Sequence, residues 1–192
     1  VFSPDGESIA FVSDGKLRRR ALAGGVTQTI CDAGITRGIA WATDDTFVLA
    51  ATFNAGLSRV RASGGTPEPL TTLAADGTER THRWPTVLPD SDTVLFTVGV
   101  PTKAGNYEDS PIDAVSIKTG KRWNVTRGAS QAIALPNGDL LLSHRGTLSR
   151  GKYDTRSGKL IGTPLPVLES VFGEPRSGVT YAAVAKNGTL AL

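Results

Sequence analysis

The stretch Phe2-Ser3-Pro4-Asp5-Gly6-Glu7-Ser8-Ile9-Ala10-Phe11-Val12 decides the fold of this 192-residue chain. A Pro-Asp-Gly turn is followed at once by a short apolar run, which is typical of a strand that leaves a tight hairpin. Similar turns recur at Thr43-Asp44-Asp45, Leu88-Pro89-Asp90-Ser91, Leu135-Pro136-Asn137-Gly138 and Lys186-Asn187-Gly188. The Asp or Asn residues that anchor successive turns are 39, 46, 47 and 50 residues apart. This spacing indicates an internal repeat.

Each repeat contains four segments that read as strands. The first lies before the turn, as in Gly38-Ile39-Ala40-Trp41 or Thr180-Tyr181-Ala182-Ala183, and the second follows it, as in Val94-Leu95-Phe96-Thr97. A third strand leads into another glycine turn, and a more polar strand such as Arg122-Trp123-Asn124-Val125 closes the unit. Four strands in each unit of about 40–50 residues predict the blades of a β-propeller.

The sequence therefore predicts an all-β chain that forms a partial propeller of about four four-stranded blades. We expect it to be truncated at both ends, because the repeat begins and stops within a unit. The predicted units cover residues 1–34, 35–73, 74–129 and 130–171, with an incomplete unit at 172–192. An incomplete ring leaves blade edges and an apolar face uncovered, so we also expect self-association through them.

Composition argues against nucleic-acid binding and against a membrane-spanning segment. The net charge is only +3, the basic residues are scattered, and aromatic residues make up 6%. Nucleic-acid binding usually needs a continuous basic stripe with stacking aromatics, so we expect no nucleic-acid partner. No apolar run approaches the roughly 18–20 residues of a membrane-spanning helix, so we expect no membrane-spanning segment.

Catalytic and metal-binding patterns are missing from the sequence. The two histidines, His82 and His144, lie in different repeats, and neither belongs to a His-Glu-x-x-His motif. There is no Gly-x-Ser-x-Gly elbow, and Cys31 is the single cysteine. Asp90-Ser91-Asp92 lacks the glycine and distal glutamate of a calcium loop, which favours turn chemistry. We therefore expect no catalytic residues, no metal site and no cofactor.

The repeat resembles that of TolB-like, WD-like bacterial propellers, beginning with Phe2-Ser3-Pro4-Asp5-Gly6 and Ile9-Ala10-Phe11. Further stretches are similar to a subgroup, the propeller region C-terminal to bacterial serine/threonine protein kinases. They are Arg80-Thr81-His82-Arg83-Trp84-Pro85, Leu88-Pro89-Asp90, Leu135-Pro136-Asn137-Gly138-Asp139-Leu140 and Gly162-Thr163-Pro164-Leu165-Pro166-Val167-Leu168-Glu169. The second unit departs from the pattern with Ala42-Thr43-Asp44-Asp45. No His-Arg-Asp or Asp-Phe-Gly kinase motif is present in this chain.

Two long segments, residues 73–81 and 100–111, are predicted to meet at one end of the third blade. Long loops on a rigid scaffold commonly carry binding residues. We predict a binding face there, for a protein or small ligand, formed by Arg80, His82, Arg83, Lys103, Asn106, Tyr107 and Asp109. Arg83 is expected to pair with an acidic side chain near the channel. Trp84 is expected in the core between blades, as Trp41 is in its own unit.

The sequence favours a non-catalytic binding, sensing or scaffold module within a larger bacterial protein such as a serine/threonine kinase. Two alternatives stay open. The first is the gating propeller of a prolyl-oligopeptidase-like hydrolase, and the second is a stand-alone TolB-like periplasmic interaction propeller. An extracytoplasmic location is favoured over a cytoplasmic one.

Overall fold

A computed structural model describes residues 1–103 and 105–192 as a series of small antiparallel sheets. The single helical element in these residues is the 3-10 turn Pro101–Lys103. The positions of the turns follow local chemistry. Asp90 Oδ1, for example, accepts hydrogen bonds from the backbone N–H groups of Asp92 (3.0 Å) and Thr93 (2.9 Å), which closes the turn into a hairpin.

The first sheet has three strands in sequence order, β1 (Ser8–Ser13), β2 (Lys16–Ala21) and β3 (Gln28–Asp32). Phe2 forms a β-bridge with Ile9 at the free edge of β1, and the Ala10 N–H donates to the Val1 carbonyl at 2.7 Å. Residues 1 and 2 thus occupy the place that a first strand takes in the sheets that follow.

Three four-stranded sheets follow, each with its strands in sequence order. The second sheet contains β4 (Ile39–Trp41), β5 (Thr46–Leu49), β6 (Ser58–Arg61) and β7 (Glu68–Pro69). The third contains β8 (Thr81–Val87), β9 (Thr93–Gly99), β10 (Ser110–Ser116) and β11 (Arg122–Ala129). The fourth contains β12 (Gln131–Ala134), β13 (Leu140–His144), β14 (Thr147–Asp154) and β15 (Lys159–Leu168).

Two short hairpins end the described chain. They are formed by β16 (Gly173–Glu174) with β17 (Val179–Thr180), and by β18 (Ala183–Val184) with β19 (Leu190–Ala191). The sequence predicts the first strand of the fifth unit at residues 180–183. In the structure this strand begins three residues later, at Ala183. Residues 173–180, here called the link hairpin, pair with each other instead, and the first strand is β18.

The core lies between successive sheets. The second strand of each four-stranded sheet is buried on both faces, because each sheet packs against two others. In β5, Phe47 and Leu49 pack against the first sheet, while Val48 packs against Phe96 and its neighbours in the third. Similar apolar clusters join the third sheet to the fourth and the fourth to β18 and β19. The prediction of four-stranded units in an all-β chain is confirmed, whereas the residue boundaries of the units stay a prediction.

The outer faces of the first and last sheets carry exposed apolar side chains. Val26 and Phe2 are exposed on the first sheet, and Leu165 and Val167 on β15 of the fourth. Leu165 keeps 69% of its surface accessible, although a side chain of this size in an inner sheet is completely enclosed. Leu165 and Val167 lie outside the apolar cluster that joins the fourth sheet to β18 and β19.

Candidate functional site

The inner strands β4, β8 and β12 lie side by side, and three segments meet at one end of them. These segments, residues 72–80, residues 100–103 with 105–109, and the link hairpin, are here called the loop end. The Arg80 N–H donates to the Gly99 carbonyl at 2.7 Å, which joins the first two segments. The Tyr107 N–H donates to the Pro175 carbonyl at 3.2 Å, which joins the second to the link hairpin. The opposite end, here called the turn end, carries the tight turns at 88–92 and 117–121.

Four of the seven residues predicted to bind a ligand lie at the surface of the loop end. Arg80, Lys103 and Asn106 are exposed, and Asp109 is half-buried. The Asp109 carboxylate lies between three basic groups, which are His144 Nε2 at 3.1 Å, Arg145 at 3.5 Å and Lys103 Nζ at 3.8 Å. A hydrogen bond from His144 is the main reason why the pKa of Asp109 lies below its usual range.

The other three predicted residues are buried, which corrects the expectation that all seven line an exposed face. Tyr107 is buried, and it packs against Gly99 and Gly178. A Cβ atom at Gly178 would lie 2.7 Å from Tyr107 Cβ, so this contact depends on glycine. The tyrosine therefore holds the link hairpin against the third sheet.

Arg83 is buried beneath the same ring and does not pair with an acidic side chain, contrary to expectation. Its guanidinium carbon lies 4.0 Å from the centre of the Tyr107 ring, within the range of a cation–π contact. Its NH1 group donates to the Ser177 carbonyl at 3.0 Å. The expected acidic partner is replaced by an aromatic face and a backbone oxygen.

His82 is fully buried between the second and third sheets. Its Nδ1 lies 2.7 Å from Thr71 Oγ1, and its Nε2 lies 3.1 Å from Glu79 Oε2. This arrangement fits a neutral ring in which Nε2–H donates to the carboxylate and Nδ1 accepts from the hydroxyl. Burial is the main cause that lowers the pKa of His82, to about 4, and the nearby charge of Arg122 acts in the same direction.

Glu79 connects His82 to a second ion pair. Arg122 NH1 donates to Glu79 Oε2 at 3.0 Å, and Arg122 Nε donates to Asp113 Oδ2 at 2.8 Å. Burial alone raises the pKa of Glu79, but the hydrogen bonds from Arg122 and from the Ala74 N–H lower it to about 2. The result is a continuous polar network, Thr71–His82–Glu79–Arg122–Asp113, that fastens the second sheet to the third.

Thr71, His82 and Glu79 have the order of a hydroxyl–histidine–carboxylate triad, but they lack access for a substrate. Thr71 Oγ1 accepts from the Leu57 N–H at 2.8 Å, and only 7% of the residue is accessible. A nucleophile must reach its substrate, and a general base needs a pKa near the working pH. Enclosure and a pKa of about 4 make His82 a structural residue.

The sequence predicts that both Trp84 and Trp41 lie in the core between sheets. Trp41 does, but Trp84 is only half-buried and belongs to none of the apolar clusters. The pairing of β8 with β9 shifts register between Arg83 and Thr86, and at this bulge Trp84 has a φ of +53°. The indole lies close to Gly38, which precedes β4, and a Cβ atom there would be 3.1 Å from Trp84 Cε3. Its Nε1 instead donates to the Ser177 carbonyl at 2.8 Å.

The sequence interpretation missed the link hairpin and the pocket behind it. This pocket has a volume of about 430 Å³ and lies between the hairpin and the fourth sheet. It is lined by Ser130, Ser143, Arg145, Phe172, Pro175 and Thr180, among others. The stretch Gly173-Glu174-Pro175-Arg176-Ser177-Gly178 carries the signal of a turn, but its place against the third sheet depends on tertiary packing.

The described residues contain no group of three or more His, Cys, Asp or Glu side chains arranged to share a metal ion. None of the described helical segments has the length and apolarity needed to cross a bilayer.

The sequence matches no protein-family model and no curated protein. The structure resembles TolB from Acinetobacter baumannii, with 17% identity over 95% of this chain and 45% of that chain, at a TM-score of 0.60. It resembles regucalcin, a calcium-binding protein from Agrobacterium tumefaciens, with 15% identity over 99% of this chain and 64% of that chain, at a TM-score of 0.67. For a luciferin-regenerating enzyme the identity is 10%, over 98% of this chain and 66% of that chain, with a TM-score of 0.68.

These likenesses establish the fold, and the sheets of this chain are blades of a partial β-propeller. Its blades share the architecture of TolB-like propellers, as the sequence resemblance implies. The chain spans between 45% and 66% of the length of these proteins. One of them is named as an enzyme and another is TolB, so the fold by itself does not decide whether a propeller is catalytic.

Proposed function

We propose that this chain is a non-catalytic binding module whose partner, a protein or a small ligand, contacts the loop end of the propeller. The observation that carries the proposal is the division of polar side chains at this end. Arg80, Lys103 and Asn106 reach solvent, whereas His82, the histidine closest to a triad arrangement, is enclosed and neutral. The loop end is therefore suited to recognition rather than to chemistry.

The scaffold under these loops supports this assignment. Tyr107 and the link hairpin fix residues 105–109 against the third sheet, and the network through Glu79 fixes residues 72–80. A preorganised surface binds with less loss of conformational freedom than a mobile one. Residues 72–80 and 105–109 thus present charged groups from a fixed frame.

Exposed basic side chains and a shared carboxylate lie together at the loop end. Arg80 and Lys103 are exposed there, and Asp109 is shared among Lys103, His144 and Arg145. Complementary charge mainly governs the choice of partner and the rate of association. We therefore expect the partner to contact Arg80 and Lys103 through acidic groups.

We further propose that the module is the sensor or scaffold arm of a bacterial serine/threonine kinase. The support is the resemblance at residues 80–85, 88–90, 135–140 and 162–169. Reading the source DNA on both sides of the frame tests this attachment. A Gly-rich loop and a His-Arg-Asp motif upstream support it, and a Gly-x-Ser-x-Gly motif downstream instead supports a hydrolase gate.

The binding role itself is tested by charge reversal at the loop end. The variant Arg80→Glu with Lys103→Glu is compared with Lys118→Glu and Lys121→Glu, which reverse two exposed lysines at the turn end. Immobilised wild-type and variant chains are exposed to a lysate of the source organism, and the retained proteins are identified by mass spectrometry. Loss of specific partners from the loop-end variant alone supports the proposal. Equal retention by both variants contradicts it.

A further inference from the structure

Arg83 has an environment that is costly for a charged group. It is 97% buried, as only 3% of its surface is accessible, and its Nε has no hydrogen-bond partner among the described residues. NH2 makes only a long contact of 3.5 Å with Thr81 Oγ1, and no carboxylate of the described residues lies within 4.0 Å. A buried guanidinium normally has an anionic partner, because burial without one is expensive.

Two further arginines lie near Arg83. The Arg37 carbonyl accepts from the Trp84 N–H at 2.8 Å, and Arg80 precedes β8 by one residue. Neither side chain forms an ion pair within the described residues. Burial first, and the charges of Arg37 and Arg80 to a smaller extent, lower the pKa of Arg83 to about 10, which leaves it charged at neutral pH. Arg83 therefore lies near two further positive charges that have no ion-pair partner among the described residues.

The side-chain donors at one edge of β8 share one acceptor, a backbone carbonyl oxygen. The Ser177 carbonyl accepts from Arg83 NH1 at 3.0 Å and from Trp84 Nε1 at 2.8 Å. Trp84 reaches it from a bulge with a φ of +53°, a conformation that costs energy for a residue with a side chain and is often found at functional sites. Two donors, one of them charged, thus converge on a neutral oxygen where an anionic oxygen binds more strongly.

We propose that Arg83 and Trp84, with Arg37 and Arg80 beside them, form a binding site for the carboxylate or phosphate group of a ligand, and that the link hairpin closes this site by placing the Ser177 carbonyl where an oxygen of the ligand binds. The inference rests on the proposed function, because it names the ligand chemistry of the loop end. The convergence of two donors on one planar oxygen favours a carboxylate.

A ligand reaches these donors only if the link hairpin moves and gives up its hydrogen bonds to Tyr107, Arg83 and Trp84. Its ladder contains only the pairs Gly173–Thr180 and Glu174–Val179. The pocket of about 430 Å³ lies behind it and offers room for its displacement. Gly178 lets the hairpin pack closely against Tyr107, so a side chain at this position should weaken the packing of the hairpin.

Isothermal titration calorimetry with sodium succinate and with inorganic phosphate tests the site, and sodium chloride of equal ionic strength serves as the reference. We expect saturable binding to the wild-type chain, and binding weakened about tenfold by Arg37→Gln, Arg80→Gln or Arg83→Gln, since each removes a positive charge from the site. Arg20→Gln removes an exposed arginine from the first sheet and should leave binding unchanged. Gly178→Ala should tighten binding, because the hairpin competes less well for the donors.

The two arms also assign the ligand class, since tighter binding of succinate identifies a carboxylate site and tighter binding of phosphate a phosphate site. Lack of saturable binding in both arms overturns the inference, and so does binding that the arginine variants leave unchanged. Arg80 is exposed, so Arg80→Gln should fold. This variant therefore tests the site even if Arg83→Gln does not fold. If partner capture still depends on the loop-end charges while neither anion binds, only this inference fails and the proposed function stands.

Discussion

The burial of His82 makes the propeller sensitive to acid. The unfolded chain takes up a proton at this ring as the pH falls through about 6.5, but the folded chain resists until the pH reaches about 4. Acid therefore favours the unfolded state, and the free energy of unfolding falls with pH between these values. The contribution is fully present above pH 6.5 and is lost toward pH 4.

The size of the effect follows from the two pKa values. Between pH 7 and pH 5, His82 alone removes about 2 kcal/mol from the free energy of unfolding. Glu79, with a folded pKa of about 2, acts in the same direction only below about pH 4.5, where the unfolded carboxyl takes up its proton. Measurements restricted to pH 5–7 therefore isolate the histidine.

The assay is urea unfolding followed by tryptophan fluorescence at pH 7 and pH 5. The wild-type chain and His144→Gln should both lose stability with acid, whereas His82→Gln should lose about 2 kcal/mol less. His144 is the matched control, because its side chain is 42% accessible. Comparing the pH dependence within each variant removes the cost of the substitution itself.

An equal pH dependence in His82→Gln and in the wild-type chain refutes this reasoning. If the variant does not fold, the ring of His82 is titrated by NMR in the wild-type chain. A measured pKa above 6 then contradicts burial as a neutral imidazole.

Three further changes test the packing. Tyr107→Ala should lower the free energy of unfolding by about 3–5 kcal/mol in urea titrations, because it removes a buried ring, while Asn106→Ala at the adjacent exposed position should change it by less than about 0.5 kcal/mol. Gly56→Ala should destabilise the chain and move the His82 ring resonances, because a Cβ there would lie 1.9 Å from the Thr71 carbonyl oxygen; unchanged resonances contradict the Thr71–His82 contact. Leu165→Glu, on the exposed face of β15, should reduce the concentration dependence of the sedimentation coefficient, whereas an unchanged dependence in this variant excludes that face from self-association.

Local chemistry is the reason why the blades could be predicted from the sequence. Pro fixes φ, and Asp or Asn side chains bond the backbone two residues on, so a turn such as Leu88–Ser91 requires no distant contact. The regular spacing of these turns then determines the number of strands in each unit. The apolar runs between them identify strands such as β9, which is buried along its whole length.

The burial of the loop residues could not be predicted in the same way. Tyr107 and Arg83 are enclosed by the link hairpin, which lies about 70 or more residues further along the chain. Trp84 leaves the core because of a bulge in β8, and its sequence context is that of an ordinary strand. Contacts of this kind depend on tertiary structure, so the sequence located the loop end but not the side chains it exposes.

The central claim is that the loop end is the binding surface of a propeller without catalytic residues. Hydrogen–deuterium exchange of the chain, with and without the partner that it retains from the lysate, tests this claim most directly. We expect protection of residues 72–80, 100–103, 105–109 and 173–180, with unchanged exchange in the turns at 88–92 and 117–121. Protection confined to the turn end contradicts it.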